Sequence, residues 1–484
     1  MPSLTFYGGV GEIGGNQILL KYKDTRIFLD FGKNFGRESD YFDFPLLQPF
    51  YIPDLLKIGA IPSIDGLYRN SPAEKAVDAV LLTHAHVDHY GYVPLLKEGI
   101  DIYLGQGTKE IIDIRNETYT KSWDRKMDHL SFKTFRTGDE LQVGDISFKP
   151  IHVDHSVPGA YGYIIYAGDK TIAYTGDLRL HGHVSHLTEE FISQLEKEEV
   201  DILITEGTNI APEDEDAFLR YFESEFKKRM GKAPERKTKP CDTEGDVREK
   251  LTDTIGEAEG LMVVETSPAD VDRMRSLWKA TEDNNRRLVL DPRQAYLLFQ
   301  IGERDPAVKD LPTPQCSCIL LNRMKDRKAE VEGTETYKAW RYQYQQDLID
   351  AREPNVLWGK EGRDELRGNP EKYVICTSNA TARFLELKGE KDFRCDFILS
   401  KSEPFNEEMV ISFDKLFHWL ALFGIEEYYQ MHVSGHCNKG DPSRVIEAAN
   451  AEKVFPIHTQ HPEMFEGFAK GEVVMVERGR EYEV

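Results

Sequence analysis

Along residues 1–207, apolar positions come in short runs broken by turn residues, the texture of a β-rich segment with short helical pieces. Residues 17–32, QILLKYKDTRIFLDFG, read as two strands around a Lys23-Asp24 turn, with Ile27, Phe28 and Leu29 bringing Asp30 to a strand end. Residues 76–89, AVDAVLLTHAHVDH, form a buried apolar strand that stops abruptly in polar residues. Residues 161–177, YGYIIYAGDKTIAYTGD, predict a hairpin with Gly168-Asp169 in its turn and Asp177 at its end. The run VDILITEGTN delivers Glu206 to the end of another strand. Strands that each finish on a carboxylate or an imidazole suggest a site built along one sheet rim.

The pattern changes near residue 208. DAFLRYFESEFKKRM reads as an amphipathic helix, and the following Lys/Arg/Pro-rich stretch as an exposed loop. Residues 261–291 then give strand, helix, strand, the pattern of a parallel α/β unit, and EKYVICTSNATARFLELK repeats the strand-to-helix step. Strand texture returns in CDFILS, EYYQMHVSGH and EKVFPIHTQH. The expected organisation is therefore a β-rich domain over 1–207 and 391–484, interrupted by an α/β insert over 208–390.

Composition narrows the classes. The chain has 484 residues, 40% hydrophobic and 11% aromatic, too rich for a disordered acidic polymer. Its 61 Lys and Arg stand against 84 Asp and Glu, a net charge of −23 that argues against an indiscriminate basic surface for nucleic acid or anionic membrane. A local basic channel is still compatible with that sum. Residues 227–239 carry seven Lys/Arg against one Glu, which reads as a solvated loop or as an RNA-facing one. The six cysteines form no Cys-x-x-Cys pair, and the N-terminus lacks the basic and apolar segments of a signal peptide, so a cytoplasmic location is expected.

Two motifs compete for the chemistry. Gly9, Gly11 and Gly14 satisfy G-x-G-x-x-G, but NQILLKYKDTRIFLDFG follows, where a dinucleotide site needs a helix. Glycines that let a loop pass close to a site explain the motif better. His84, His86, Asp88 and His89 pack four ligand types into six residues after a buried strand, a donor set suited to zinc or manganese. Four residues cannot complete two metal shells, so further ligands must come from elsewhere. Candidates are Asp30, His152, His155, Asp177, His432, His436, His458 and His461. A second H-x-H-x-x-H at His181, His183 and His186 lacks the aspartate and reads as solvated or loop-packing residues.

Taken in order, GGVGEIGGN, LTHAHVDH, HSVPGAYG, YTGDLRLHG, LITEGTN, HVSGH and FPIHTQH resemble the metallo-β-lactamase superfamily, and within it the β-CASP nucleases of the ribonuclease J group. The resemblance implies an α/β fold, a metallo-β-lactamase αββα sandwich with an inserted β-CASP domain. It implies two zinc ions, with manganese possible, and residue roles as follows. His84, His86 and His155 match the ligands of one metal; Asp88 and His89 match those of the other, and His458 completes that second site. Asp177 matches the carboxylate shared by both, and Asp30 a buried carboxylate that orients ligands. His155 is preferred to His152 because HSVP matches the family pattern, a choice that spacing alone leaves open. Glu206 matches an acidic β-CASP motif, and His436 the histidine that contacts the scissile phosphate. His432, Ser434 and Gly435 of HVSGH are candidate substrate contacts, as are Ser267, Ser378 and Asn379. The last three fit helix N-caps equally well, and TSNATARFLELK departs from the Gly- and Gln-rich family version.

Phosphodiester hydrolysis needs an activated water, neutralised phosphoryl charge and a proton for the leaving oxygen. Two close metal ions supply the first two. Asp88 is the candidate for positioning or deprotonating the water, and His436 for proton transfer near neutrality. The reading is a two-metal ribonuclease acting on single-stranded, 5′-monophosphate RNA, with 5′→3′ exonuclease favoured over endonuclease. Rival readings are a hydrolase of DNA or of a small ester or thioester, and a non-catalytic β-CASP subunit of an RNA-processing complex. Residues 36–79 are longer than the bacterial pattern and suit a substrate rim or an oligomer contact. The chain ends soon after His458, resembling shorter archaeal-type members, which weakens a tetramer expectation; a homodimer stays an open expectation.

Overall fold

A computed structural model of the chain describes residues 1–42, 46–49, 51–118, 126–211, 224–228, 230, 233–305, 308, 310–321, 343–352, 355–387, 395–401 and 407–484. The chain divides into two units, Met1–Pro212 with Gly435–Val484, and Glu213–Ser434.

The first unit is built on two seven-stranded sheets. One runs Glu481–Glu483, Ser3–Gly8, Gln17–Tyr22, Thr25–Phe31, Ala79–Leu81, Asp101–Gly105 and Ser131–Phe135. The other runs Glu472–Val473, Lys453–Ile457, Ile202–Glu206, Lys170–Tyr174, Ala160–Ala167, Ile146–Val153 and Leu141–Val143. Side chains alternate across each strand, so Ile18, Leu20, Ile27 and Leu29 of one sheet meet Phe148, Tyr163, Ile165, Ile172 and Ile204 of the other in one buried cluster. Phe6 stacks on Phe455 across this layer, with ring centroids 5.5 Å apart. The opposite face of the second sheet, through Ile164, Ala173, Leu203 and Val454, packs on Phe191 and Leu195 of helix His186–Leu195 and on Val445 and Ile446 of helix Asp441–Ala449. Each such Val, Leu, Ile or Phe side chain contributes about 1.5–3 kcal/mol when buried. The unit is the α/β sandwich that the family resemblance implies.

In the second unit eight strands form one sheet, and every neighbouring pair is parallel. The strands Leu261–Thr266, Tyr373–Thr377 and Ser317–Leu321 are buried at every position, as a parallel sheet covered on both faces requires. Two sequence expectations need correction here. Cys395–Ser400 and Glu427–Gln430 pair in this parallel sheet, so the expected boundary at 390/391 falls short and the second unit runs to Ser434. Their strand texture is the same in either unit, and only the pairing partner distinguishes them. Within the basic stretch, Glu235–Thr238 is an edge strand beside Glu427–Gln430 rather than a loop. There Lys237 lies between Glu235 and Glu427, at 2.7 and 3.3 Å. Most of the predicted helix over 216–230 lies outside the described residues.

Residues 36–79 include helix Ile52–Ile58, which buries Ile52, Leu55 and Ile58. Phe35, Tyr41, Leu46, Leu47 and Tyr51 are exposed. Among the described residues no helix is long and apolar enough to cross a membrane.

Candidate metal centre

Strand ends of the first unit converge on one point. Ala79–Leu81 runs into Leu82, Thr83 and His84, and the short helix Val87–Tyr90 carries Asp88 and His89. Lys170–Tyr174 leads to Asp177, Ile202–Glu206 ends on Glu206, and Lys453–Ile457 leads to His458. Three groups have ligand atoms within 4.8 Å of one another: His84, His86, His155 and Asp177; Asp88, His89 and His458; and Asp177, His436 and His458. Asp177 Oδ2 is the common point, 3.6 Å from His84 Nε2, 3.1 Å from His89 Nε2, 3.9 Å from His155 Nε2, 3.8 Å from His458 Nε2 and 3.7 Å from His436 Nδ1.

Backbone geometry helps aim these groups. Asp30 is the unpaired residue between Leu29 and Phe31, where the register with Gln17–Tyr22 shifts, and its φ is +56°. His458 has φ +52°. Left-handed backbone at such residues costs of order 1–3 kcal/mol and persists only where surrounding contacts hold it. The N-terminal glycine loop explains part of that hold. A Cβ on Gly14 would fall 2.6 Å from Asp88 Oδ2, and one on Gly32 only 1.5 Å from the Asp88 carbonyl oxygen. Asn16 N donates to Asp88 O and His458 N to Gly9 O. No helix follows the loop; the strand Gln17–Tyr22 does, which closes the dinucleotide reading.

Hydrogen bonds select which nitrogen of each imidazole faces inward. Asp30, fully buried, accepts from Thr83 N and Thr83 Oγ1 (both 2.8 Å), His89 Nδ1 (2.7 Å) and Tyr174 OH (2.6 Å). With its proton given to Asp30, Thr83 Oγ1 accepts from His84 Nδ1 at 3.0 Å. His155 Nδ1 donates to the Gly435 carbonyl. His84, His89 and His155 therefore present Nε2 to the centre, while His86 presents Nδ1, 2.9 Å from both His84 Nε2 and His155 Nε2. Burial holds His84 and His155 well below the ordinary histidine range, and lowers His86 to about 3, so these rings are neutral with free lone pairs.

The donor set fits a divalent cation. His89 Nε2 and both Asp177 oxygens are buried and make no hydrogen bond among the described residues, an expensive arrangement unless a cation satisfies them. Neutral imidazoles with carboxylates, their far nitrogens fixed by carboxylate, hydroxyl and carbonyl acceptors, are the ligands a zinc-type ion takes.

His436 and Glu206 stand beside this cluster, with Nδ1 3.2 Å from Oε1. Burial disfavours charge on His436, yet Glu206 and Asp177 overcome it and raise its pKa to about 9. Burial likewise opposes ionisation of Glu206, and the facing His436 charge holds its carboxyl below the ordinary range. Thr208 joins them: its amide donates to Glu206 Oε2 at 3.0 Å, and its hydroxyl lies 2.8 Å from His458 Nδ1 and 3.1 Å from His436 Nδ1. Behind the ligands, the fully buried Arg179 and Asp154 pair at 3.3 Å, each within two residues of Asp177 or His155. Thr83, Tyr174, Thr208, Asp154 and Arg179 were not singled out from sequence. Position beside a marked residue, as in Thr83-His84 and Glu206-Gly207-Thr208, is the signal that points to the threonines.

Other candidates join none of the three groups among the described residues. His152 stacks on Tyr161 at 4.9 Å and belongs to none of the three groups, whereas His155 does. His461 pairs with Glu463. Among the second histidine motif, read as solvated or loop-packing, His181 is buried with Nδ1 3.9 Å from Asp441 Oδ2, while His183 and His186 are exposed. His432, Ser434, Ser267, Ser378 and Asn379 belong to the second unit. There His432 Nδ1 meets Arg273 Nη1 at 3.1 Å, Ser267 Oγ accepts from Ala269 N, and Asn379 Oδ1 accepts from Ala382 N at the start of helix Ala380–Leu387.

Comparison with known proteins follows the same lines. Residues 58–231 match a family model described as a beta-lactamase superfamily domain. Ribonuclease J of Sinorhizobium meliloti is 27% identical over 293 residues, covering 58% of this chain and 43% of that protein. Ribonuclease J of Thermus thermophilus is 27% identical over 308 residues, covering 61% and 45%. A Methanocaldococcus jannaschii protein named "Probable RNase MJ4" is 25% identical over 221 residues, covering 42% and 45%. The chain thus spans less than half the length of these curated relatives. A solved protein of unknown function from Enterococcus faecalis V583 shares the fold over 99% of both chains, with a TM-score of 0.72 at 23% identity.

Proposed function

As the chain belongs to the metallo-β-lactamase superfamily and resembles its ribonuclease J branch, we propose that it is a two-metal ribonuclease cleaving RNA phosphodiester bonds. The favoured mode is 5′→3′ exonucleolytic, on single-stranded RNA with a 5′-monophosphate. The observation that carries this reading is the convergence of two ligand groups on Asp177 with the His436–Glu206 pair alongside. His84 Nε2, His86 Nδ1, His155 Nε2 and Asp177 would hold one ion; Asp88, His89, His458 and Asp177 the other. The donors favour zinc, with manganese also suited. Bound divalent ions supply Lewis acidity toward water and phosphoryl oxygen.

The residues of this chain do the rest. Asp88, partly open at 22% side-chain exposure, orients the attacking water and accepts its proton. Glu206 holds His436 by Nδ1, so that Nε2, across the ring, carries the proton delivered to the leaving oxygen. Asp30 keeps His89 in the tautomer that offers Nε2. Gly435, whose carbonyl holds His155 Nδ1, remains a proposed phosphate contact through its backbone amide. A cytoplasmic location fits six unbridged cysteines.

The test presents 5′-monophosphate RNA, 5′-triphosphate RNA and single-stranded DNA with Zn(II) or Mn(II). Mononucleotide release from the 5′-monophosphate RNA alone supports substrate and polarity together. Internal cuts favour an endonuclease, DNA cleavage replaces the substrate, and no cleavage with metals bound favours a scaffold. Light scattering against the chain mass of 55.5 kDa separates monomer from homodimer in the same samples.

A further inference from the structure

We propose that the Thr208 hydroxyl is a positioning group that receives the Nδ1–H of both His458 and His436 and so fixes the direction of both rings at once. The inference rests on the metal-centre reading above, and it concerns one oxygen between two imidazoles with different tasks.

A threonine hydroxyl has one proton to give and two lone pairs to receive. Oγ1 of Thr208 has three neighbours: His458 Nδ1 at 2.8 Å, His436 Nδ1 at 3.1 Å and the His458 carbonyl oxygen at 3.4 Å. His458 points its other nitrogen, Nε2, at Asp88 Oδ2 (3.2 Å) and Asp177 Oδ2 (3.8 Å). To act as a ligand through Nε2 it must carry its proton on Nδ1, which then donates to Thr208. His436 Nδ1 also faces Glu206 Oε1 at 3.2 Å, and an ionised carboxylate only accepts. That nitrogen must therefore be N–H as well, shared between Glu206 and Thr208. Both lone pairs of the hydroxyl are then filled by imidazole N–H groups, and its own proton has one acceptor left, the His458 carbonyl. Every valence is used, and both rings turn Nε2 away from the hydroxyl: that of His458 as a lone pair toward the ligand cluster, that of His436 with the proton for the leaving oxygen.

Two features explain why such a clamp is needed. His458 sits in left-handed backbone, φ +52°, at the end of the strand Lys453–Ile457, so its ring direction requires an external hold. Thr208 is itself fixed, because its amide donates to Glu206 Oε2. One residue thus couples a proposed metal ligand to the proposed proton carrier.

Thr208→Val keeps the shape and removes the hydroxyl, and Thr208→Ser restores it; Thr208→Ala serves if valine disturbs folding. Apo protein is titrated with Zn(II) against a chromogenic chelator, and hydrolysis of bis(p-nitrophenyl) phosphate is measured on zinc-loaded protein. The valine variant is expected to bind one of its two zinc equivalents about 10–100-fold more weakly, the usual effect of losing a partner behind a histidine ligand. Its kcat should fall by at least about tenfold with KM within about twofold, since the group acts on the ligand and proton carrier rather than on substrate. The serine variant should regain wild-type behaviour in both readouts. Wild-type zinc affinity in the valine variant, or a serine variant as weak as valine, overturns the inference while leaving the metal-centre reading standing. A wild-type chain that binds no zinc overturns both.

Discussion

Two segments of the first unit carry the same H-x-H-x-x-H spacing, at His84, His86, His89 and at His181, His183, His186, and they end differently. The first follows a strand buried at every position and enters three-sided support: Asp30 behind His89, Thr83 behind His84 and the Gly435 carbonyl behind the neighbouring ligand His155. The second follows Arg179, whose guanidinium lies so close that a Cβ on Gly182 would fall 2.4 Å from its Nε. Asp154, the carboxylate beside it, is already taken by Arg179 and the Gly182 amide, so it is not free to anchor an ion there. His183 and His186 point to solvent, and among the described residues none of the three joins a ligand group. Spacing permits convergence, but acceptors for the outer nitrogens and a carboxylate at the centre produce it.

That contrast can be broken at its strongest point first. Asp177→Ala removes the oxygen common to two ligand groups, so metal content should drop from close to two ions per chain to well below one by elemental analysis. Full retention would mean that the convergence is structural. His436→Ala should keep its metals and lose turnover by about 10²–10⁴-fold, the range for a general acid; unchanged kcat removes His436 from the chemistry. Asp30→Ala strips four hydrogen bonds from a buried carboxylate site and removes the carboxylate acceptor of His89 Nδ1, with an expected loss of about 3–5 kcal/mol in urea unfolding. A loss below 1 kcal/mol, about the size of one ordinary hydrogen bond, would show that His89 needs no such partner. Smallest of all, His183→Ala should leave metal content unchanged and stability within about 0.5 kcal/mol. A lost ion there would make the second motif a ligand set after all.

Much of the site's composition was readable because strand periodicity marks where a buried run ends, and Asp30, His84, Asp177, Glu206 and His458 all lie at or just past such ends. The ligand-holding residues were not readable in the same way. Thr83 and Thr208 look like ordinary strand-end threonines, and Asp154 and Arg179 like surface charges. Their roles depend on partners far along the chain, as in the Thr208–His458 and Asp30–Tyr174 contacts. The end of the insert failed for a related reason. Cys395–Ser400 is a short apolar strand by any local measure, and only its pairing with Leu261–Thr266 assigns it to the parallel sheet.

The sequence by itself determined most of the strands, the parallel α/β class of the insert and the ligand types, because periodicity, turn residues and donor chemistry are local properties of the chain. Tertiary structure alone decided which of fourteen histidines meet, which nitrogen each presents and where the two units divide. Those outcomes depend on hydrogen-bond acceptors and strand partners brought together from distant segments. The same spacing of three histidines therefore builds a ligand cluster in one place and a loop in another.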